Sequence, residues 1–105
     1  MEADLSRRLR EAVGFDWDAG NVDKNWIKHA VRFTECEEVF FRGPVVVPAR
    51  NRPGSREERF VVLGQTALGR HLSIAFTFRG DRIRVISARD MNRKEQREYA
   101  RNEET

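Results

Sequence analysis

The segment from Gly69 to Arg89, GRHLSIAFTFRGDRIRVISAR, constrains the fold of this chain more than any other. Two runs of alternating apolar and polar residues flank the pair Gly80-Asp81. This pattern predicts a β-hairpin, because glycine readily adopts the positive φ that a two-residue turn needs. The predicted pairs are Arg79 with Arg82, Thr77 with Arg84, Ala75 with Ile86, Ser73 with Ala88 and Leu72 with Arg89.

Side chains alternate between the two faces of a strand, so the hairpin should have an apolar face and a polar face. The predicted apolar face carries Leu72, Ile74, Phe76, Phe78, Ile83 and Val85. The predicted polar face carries His71, Ser73, Thr77, Arg79, Arg82 and Arg84, with Ala75, Ile86 and Ala88 between them. Arg70 and Arg89 fall in phase with the apolar set, but at its end. A sheet that is apolar on one face and arginine-rich on the other suggests a globular domain that binds an anion.

The basic residues are concentrated in the second half of the chain. Residues 1–49 hold seven Lys and Arg against nine Asp and Glu, whereas residues 50–105 hold thirteen against eight. Seventeen of the twenty basic residues are arginine, the side chain suited to bidentate phosphate binding. This distribution points to a nucleic acid as the partner, although a well-solvated surface would also account for it.

Length and cysteine content limit the class of protein. A chain of 105 residues is large enough for one hydrophobic core, so we predict one domain. A single cysteine, Cys36, excludes an internal disulfide and a multi-cysteine zinc site, and two histidines without paired carboxylates predict no metal site. No apolar run is long enough to span a membrane, and the amino terminus lacks a signal-peptide core, so we expect a cytoplasmic protein.

The remaining periodicities predict an α+β fold. Residues 1–13 should form an N-terminal extension, as a short helix, and residues 14–105 a single domain. A short strand at Phe15-Asp16-Trp17-Asp18 precedes a helix with an apolar stripe of Val22, Trp26, Ile27, Ala30 and Val31, capped by Asp18 or Asn21. Thr34 and Glu37 predict a capping box for a second helix, in which Val39, Phe40 and Phe41 turn inward. Strands at 45–47 and 59–66, the hairpin, and a helix from Asn92 to about Asn102 complete the chain, with a basic loop at 49–58. We therefore expect an antiparallel sheet of about four strands, covered on one face by the N-terminal helices.

Short segments between about residues 14 and 100 carry a family resemblance. They are FDWD with Lys24-Asn25, Lys28-His29-Ala30-Val31 with Phe33, Glu58-Arg59, Gly64, Gly69-Arg70, Arg84-Val85-Ile86-Ser87-Ala88-Arg89, and Lys94-Glu95-Gln96-Arg97-Glu98-Tyr99. In this order and spacing they resemble the BrnT family of toxins from type II toxin–antitoxin systems. Ala30 stands where that family usually has glycine, and we expect the alanine to extend the helix.

The resemblance implies a RelE-like fold and a ribosome-independent endoribonuclease that needs no cofactor. It also implies a BrnA-type antitoxin that neutralises the toxin in a heterotetramer or a similar complex, and that binds operator DNA. Metal-independent RNA cleavage needs a base for the 2′-hydroxyl, an acid for the leaving 5′-oxygen, and cations for the charge on phosphorus. The candidate acids and bases are His29, His71, Glu58, Glu95 and Tyr99. The candidate phosphate ligands are Arg59, Arg70, Arg84, Arg89 and Lys28.

Arg70 and Arg89 are the principal candidates, because the predicted register brings them together at one edge of the sheet. Two guanidinium groups at such a short distance repel each other unless an anion lies between them. Alternatively, Asp90 or Glu95 could neutralise them structurally. His29 belongs to the Lys-His pair of the family, so we predict that it has a catalytic role. The alternative is that His29 only makes a hydrogen bond with a backbone carbonyl at the end of the helix. His71 has no such support and is predicted to be a surface residue.

The complete predicted site has a catalytic and an RNA-binding part. The catalytic residues are His29, Arg70, Arg89, Glu95 and Tyr99, and the RNA-binding residues are Lys28, Arg59, Arg82 and Arg84. Trp17 and Trp26 are predicted to lie in the core. Two alternatives use the same arginines without catalysis: a nucleic-acid-binding module, and an interaction protein whose basic face contacts an acidic partner.

Overall fold

The computed structural model describes residues 2–47 and 58–103, without the side chains of residues 2–4 and 103. Most of the predicted 49–58 loop therefore lies outside the described residues. The helices are α1 (Glu2–Glu11), α2 (Ala19–His29), α3 (Phe33–Phe41) and α4 (Arg93–Glu103). The strands are β1 (Gly14–Phe15), β2 (Val45–Val47), β3 (Phe60–Gln65), β4 (His71–Arg79) and β5 (Arg82–Asp90).

The five strands form one sheet in the order β1-β5-β4-β3-β2. Strands β2 to β5 pair antiparallel, and β1 pairs parallel to β5 through only two residues. The predicted α+β fold and the four-stranded antiparallel sheet are thus confirmed. The parallel edge strand makes the complete sheet mixed.

The core lies between one face of the sheet and the helices α2 and α3. Its buried residues are Val31, Cys36, Val39, Val62, Leu72, Ile74, Phe76, Ile83, Val85 and Ala88. Helix α1 contacts this core through Leu5 and Leu9, so the segment predicted as an N-terminal extension packs on the sheet. Helix α4 lies against the opposite face, where Tyr99 and Met91 form a second, smaller cluster with Leu63.

The hairpin contains a β-bulge that changes the predicted register. The pairs Arg79–Arg82 and Thr77–Arg84 are correct, but Ala75 pairs with Ser87, which leaves Ile86 as an extra residue. The three predicted pairs beyond this point are therefore wrong: Ser73 faces Arg89, and Leu72 faces Asp90. One inserted residue exchanges the two faces of a strand. Consequently Ala88 is buried in the core, and Arg89 lies on the polar face.

The stripe predicted for α2 is correct for Val31, which is buried, and wrong for Trp26 and Ile27. Trp26 and Ile27 are 50% and 78% exposed, whereas Asn21 and Asn25 are buried. Strand β1 pairs with only two residues of β5. Beyond them, side chains of α2 supply hydrogen-bond partners for the backbone at this edge of β5. Asn21 Nδ2 donates to the carbonyl of Val85 at 2.6 Å, and Asn25 Oδ1 accepts from the N–H of Ala88 at 3.0 Å. The hydrogen bonds to the edge of β5 thus determine which face of α2 is buried, and they leave Trp26 half-exposed.

The ends of the helices agree only in part with prediction. Asp18 caps α2 as expected, since its side chain accepts from the N–H of Asn21 at 2.7 Å. Helix α3 begins before Thr34, and Glu35 rather than Glu37 accepts from the N–H of Arg32. Val39 is buried and Phe40 packs on the core, but Phe41 is 77% exposed.

The end of α2 shows how the chain accommodates Ala30. The helix ends at His29, and Ala30 has φ 52° and ψ 41° in the left-handed region. The expectation that alanine extends the helix is therefore wrong. The chain keeps a helix ending of the kind that glycine usually provides, at a steric cost of about 1–2 kcal/mol for a side chain with a Cβ atom.

Candidate functional site

One end of the sheet collects most of the predicted catalytic residues. Because β4 and β5 are antiparallel, the beginning of β4 lies beside the end of β5, and His71 therefore lies near Asp90. Arg70 precedes β4, and Arg89 stands near the end of β5. Helix α4 begins directly after β5 and brings its first turn to this end. The residues separate into two groups on opposite faces of the sheet.

We define the Arg89 cluster as Arg89, Glu95, Ser73, His71, Tyr99 and Gln65, which lie on the face covered by α4. Arg89 and Glu95 form a two-pronged ion pair, with Nη1 to Oε1 at 2.7 Å and Nη2 to Oε2 at 3.0 Å. Ser73, which faces Arg89 across the strands, donates from Oγ to Glu95 Oε2 at 3.1 Å. The bulge at Ile86 places Arg89 in this cluster.

Glu95 accepts four hydrogen bonds, which occupy both of its oxygens. Besides Arg89 and Ser73, the N–H of Asn92 donates to Oε1 at 2.9 Å. Burial by itself would raise the pKa of Glu95, but the hydrogen bonds from Arg89 and Asn92 prevail and lower it. A carboxylate held in this way remains ionised at neutral pH and is a poor proton acceptor. Its contacts suit it to positioning the Arg89 guanidinium.

Arg89 retains hydrogen-bonding capacity. Of its five N–H donors, two bind Glu95 and one binds the carbonyl of Asp90 at 3.2 Å. Within the part of the chain that the structure describes, Nε–H and one Nη2 hydrogen have no acceptor, and the side chain is 42% exposed. A cation with two free donors at the surface can bind a phosphate oxygen pair.

His71 and Tyr99 form the other half of the cluster. Their rings contact edge to face, with centroids 5.5 Å apart. Gln65 faces His71 across β3 and β4, and its Nε2 donates to the Tyr99 hydroxyl at 3.2 Å. Tyr99 is only 9% exposed, whereas His71 is half-buried. Sequence reasoning assigned His71 to the surface and left Ser73 and Gln65 out, because their importance depends on the bulge and on the position of α4.

We define the Arg70 cluster as Arg70, Asp90, Glu35 and the end of α2. Arg70 Nε donates to Asp90 Oδ1 at 2.7 Å, and Nη2 donates to Asp90 Oδ2 at 3.2 Å. The remaining donors bind the carbonyls of Ala30 and His29 at 2.8 and 3.1 Å, and the Glu35 carboxylate at 3.3 Å. All five N–H donors of Arg70 are therefore occupied by protein acceptors. The hydrogen bond from Arg70 lowers the pKa of Asp90.

The predicted pairing of Arg70 with Arg89 around one anion is wrong. The bulge sends Arg89 to the face of α4, while Arg70 binds the end of α2 and α3 on the core side. Each guanidinium has its own carboxylate, Asp90 for Arg70 and Glu95 for Arg89. The two arginines therefore need no shared anion to offset their charges.

His29 and Lys28, the last residues of α2, are both exposed. His29 contributes to the lowered pKa of Asp90, after the larger contributions of Arg70. The carbonyl of His29 accepts from Arg70, which is the helix-end contact weighed against catalysis.

The other predicted RNA-binding residues lie away from these clusters. Arg84 binds Asp18 at 2.8 Å and Asp16 at 3.6 Å, and its hydrogen bond lowers the pKa of Asp18. Arg82 is exposed beside the hairpin turn, roughly 20 Å along β5 from Arg89 at the usual rise per residue. Arg59 is exposed just before β3.

The two tryptophans and the cysteine have separate surroundings. Trp17 is partly buried and donates from Nε1 to Glu37 at 2.9 Å, whereas the ring of the half-exposed Trp26 lies under Arg32. The prediction of a core position is thus wrong for Trp26. Burial raises the pKa of the Cys36 thiol to about 12, which leaves it without thiolate character at neutral pH.

Two kinds of site are not found within residues 2–47 and 58–103. No group of three or more histidine, cysteine, aspartate or glutamate side chains is placed to hold a metal ion. Among the same residues, no helix has the length and apolar character that crossing a membrane requires.

Comparison with known proteins gives the family. A sequence model described as "Ribonuclease toxin, BrnT, of type II toxin-antitoxin system" matches residues 17–95, which is more than half of the chain. The crystal structure of the Brucella abortus ribonuclease toxin BrnT superposes with a TM-score of 0.59 at 22% identity, covering 76% of this chain and 97% of that one. This similarity shows the fold, and no curated protein matches the chain. The predicted resemblance is confirmed, and the chain belongs to the BrnT family of type II toxin–antitoxin ribonuclease toxins.

Proposed function

We propose that this chain is a metal-independent endoribonuclease that cleaves RNA without the ribosome and thereby stops translation and growth. Membership of a ribonuclease toxin family supports the class of substrate. The observation that carries the proposal is the state of Arg89, whose guanidinium is fixed by Glu95 while two of its N–H donors have no acceptor among the described residues. Arg89 lies on the sheet face that also carries His71 and Tyr99. That combination suits a phosphodiester bound at the surface.

The proposed reaction is an internal transfer of the phosphate. The 2′-oxygen attacks the adjacent phosphorus and forms a P–O2′ bond, while the P–O5′ bond breaks. A base takes the proton of the 2′-hydroxyl, and an acid supplies a proton to the 5′-oxygen. The products are a 2′,3′-cyclic phosphate and a 5′-hydroxyl, so neither water nor metal is consumed.

The predicted residues receive different roles in this proposal. Arg89 stabilises the negative charge that develops on the phosphorane, and Glu95 positions Arg89. Tyr99, which is only 9% exposed, is assigned to positioning the His71 ring through their edge-to-face contact. Arg70 is assigned to holding the end of α2, where Lys28 and His29 can contact the RNA strand. Arg59, Arg82 and Arg84 are proposed as more distant contacts with the RNA backbone.

An antitoxin protein is the expected partner, because type II systems pair a toxin with a protein that neutralises it. We propose a BrnA-type antitoxin in a heterotetramer, with operator DNA bound through the antitoxin, in the cytoplasm. Co-expression with the adjacent gene and measurement of the complex mass by light scattering test this. A monomeric toxin that leaves the neighbouring protein behind would contradict the proposal.

Analysis of the cleavage products tests the activity. Purified protein is incubated with naked RNA in excess EDTA, and the new ends are identified by mass spectrometry. We expect 2′,3′-cyclic phosphate and 5′-hydroxyl ends, and equal activity from Arg97→Ala, which changes an exposed arginine of α4. Binding of RNA without cleavage would instead favour a nucleic-acid-binding module.

A further inference from the structure

We infer that His71 is the general acid of the Arg89 cluster and donates the proton to the leaving 5′-oxygen. This inference rests on the proposed ribonuclease function and adds the residue that transfers the proton. It assigns a catalytic role to a side chain that the sequence pattern places on the surface.

Glu95 is not suited to this step. Its four hydrogen bonds come from Arg89, Ser73 and the N–H of Asn92, and they stabilise the ionised form. Protonating Glu95 would weaken its pairing with Arg89 at the moment when Arg89 must hold the phosphate. The same hydrogen bonds leave neither oxygen in position to transfer a proton.

His71 has the position that Glu95 lacks. It lies two residues before Ser73 on the same face of β4, so its ring projects on the side of the sheet where Glu95 and Arg89 meet. Its edge-to-face contact with Tyr99 orients the ring, and His71 is half-buried rather than fully enclosed. Histidine is also the side chain that exchanges protons between pH 5 and 8 without assistance.

Helix α4, β3 and β5 each place polar side chains on the sheet face that carries His71. Helix α4 contributes Tyr99 and the ionised Glu95, β3 contributes the neutral Gln65, and β5 contributes Arg89. The charge of Arg89 is offset by Glu95, so the cluster without substrate carries one paired cation and one histidine. A bound phosphate adds negative charge to this cluster.

His29, the second histidine of the chain, has different surroundings. Its backbone carbonyl accepts from Arg70, which has all five N–H donors occupied and none left for a phosphate. A proton donor at the position of His29 would lack a guanidinium group that stabilises the charge on the phosphorus. This contrast favours His71 for the chemical step.

The bond changes define what His71 must do. As the P–O5′ bond breaks, its electron pair remains on the 5′-oxygen, and the imidazolium N–H proton moves to that oxygen. His71 is then neutral and regains a proton from solvent. A leaving group that is stable as an anion would not need this proton.

The test uses His71→Gln and a substrate with sulfur in place of the 5′-oxygen at the cleaved bond, since a thiolate leaves without protonation. We expect His71→Gln to cleave ordinary RNA about 10²-fold more slowly or worse, and to lose the fall in rate at alkaline pH. On the sulfur-substituted RNA, the variant should approach the wild-type rate. Recovery on this substrate also shows that the variant is folded.

His29→Gln is measured in parallel. We expect it to retain the alkaline fall in rate and to show no selective recovery on the sulfur-substituted RNA. The inference is overturned if His71→Gln keeps the wild-type rate and pH profile, if its loss is equal on both substrates, or if His29→Gln shows the selective recovery. A wild-type protein that cleaves neither substrate would refute the proposed ribonuclease function itself.

Discussion

Arg70 and Arg89 look equivalent in the sequence, yet they differ in how many of their N–H donors are occupied within the protein. Both stand at the same end of the sheet, and each is paired with a carboxylate. Arg70 has all five N–H donors occupied within the protein, and its side chain is 28% exposed. Arg89 keeps two donors unoccupied among the described residues and is 42% exposed. The number of donors left, rather than the presence of a charge, indicates which arginine can bind a substrate.

The carbonyls at the end of α2 explain why Arg70 is fully engaged. The last turn of a helix has carbonyl groups with no partner inside the helix, and Arg70 donates to two of them. A third helix contact comes from Glu35 in α3. Arg70 thus joins α2, α3 and the end of β5, while the hydrogen bonds that Arg89 makes among the described residues go to β5 and α4.

The largest expected effect is on catalysis, from Arg89→Ala. Loss of a guanidinium that stabilises the phosphorane should reduce RNA cleavage about 10²- to 10³-fold. Initial rates on naked RNA measure this, with Arg97→Ala as the matched control. Because removal of Arg89 also breaks its ion pair with the 20% exposed Glu95, the rates are compared per folded molecule, with the folded fraction measured by urea denaturation. Full activity of a folded Arg89→Ala protein would remove Arg89 from the site.

Arg70→Ala should show the opposite behaviour. The change leaves two carbonyls of α2 and the Glu35 and Asp90 carboxylates without their donor. We expect the free energy of unfolding to fall by about 2–3 kcal/mol, as measured by urea denaturation. The cleavage rate per folded molecule should fall much less than in Arg89→Ala. A normal stability together with lost cleavage would mean that Arg70 acts on the substrate.

Lowering the pH should show that Glu95 and Asp90 contribute differently to the stability of the fold. The folded state lowers the pKa of Glu95 and of Asp90, so each stabilises the fold above its ordinary pKa and loses this contribution as the pH falls through the lowered value. Stability should therefore decrease below about pH 4.5. Glu95→Gln should flatten this dependence more than Asp90→Asn, because the two side chains are 20% and 65% exposed. Urea midpoints between pH 7 and 3 measure it, and an equal flattening would contradict the difference.

The smallest effect concerns the end of α2 that Arg70 binds. Ala30→Gly relieves about 1–2 kcal/mol of left-handed strain but makes the unfolded chain more flexible, which costs about 0.4–1 kcal/mol. We expect a net gain in stability of about 0.5–1 kcal/mol by urea denaturation. Ala100→Gly, within α4 and exposed, is the matched control and should lose about 1 kcal/mol. A loss of stability in Ala30→Gly would contradict the claim that the left-handed conformation of Ala30 is strained.

Local patterns predicted the elements and the family, and tertiary contacts decided the site. Alternation identified the hairpin and the buried Leu72 and Phe76, because burial of one face repeats every two residues. The bulge at Ile86 has no glycine or other local sign, so the face of Arg89 could not be deduced from alternation. The burial of Asn21 depends on the open edge of β5, which is far away in the sequence.

The measurement that tests the central claim most directly is an NMR titration of the arginine Nε–H groups. The ligand is RNA with 2′-O-methyl groups, which binds as a substrate but has no 2′-hydroxyl to attack the phosphorus. We predict that the Nε–H resonance of Arg89 shifts on binding, while that of Arg70, already bound to Asp90, remains in place. A shift of the Arg70 resonance with Arg89 unchanged would contradict the account and return the phosphate to the other face of the sheet.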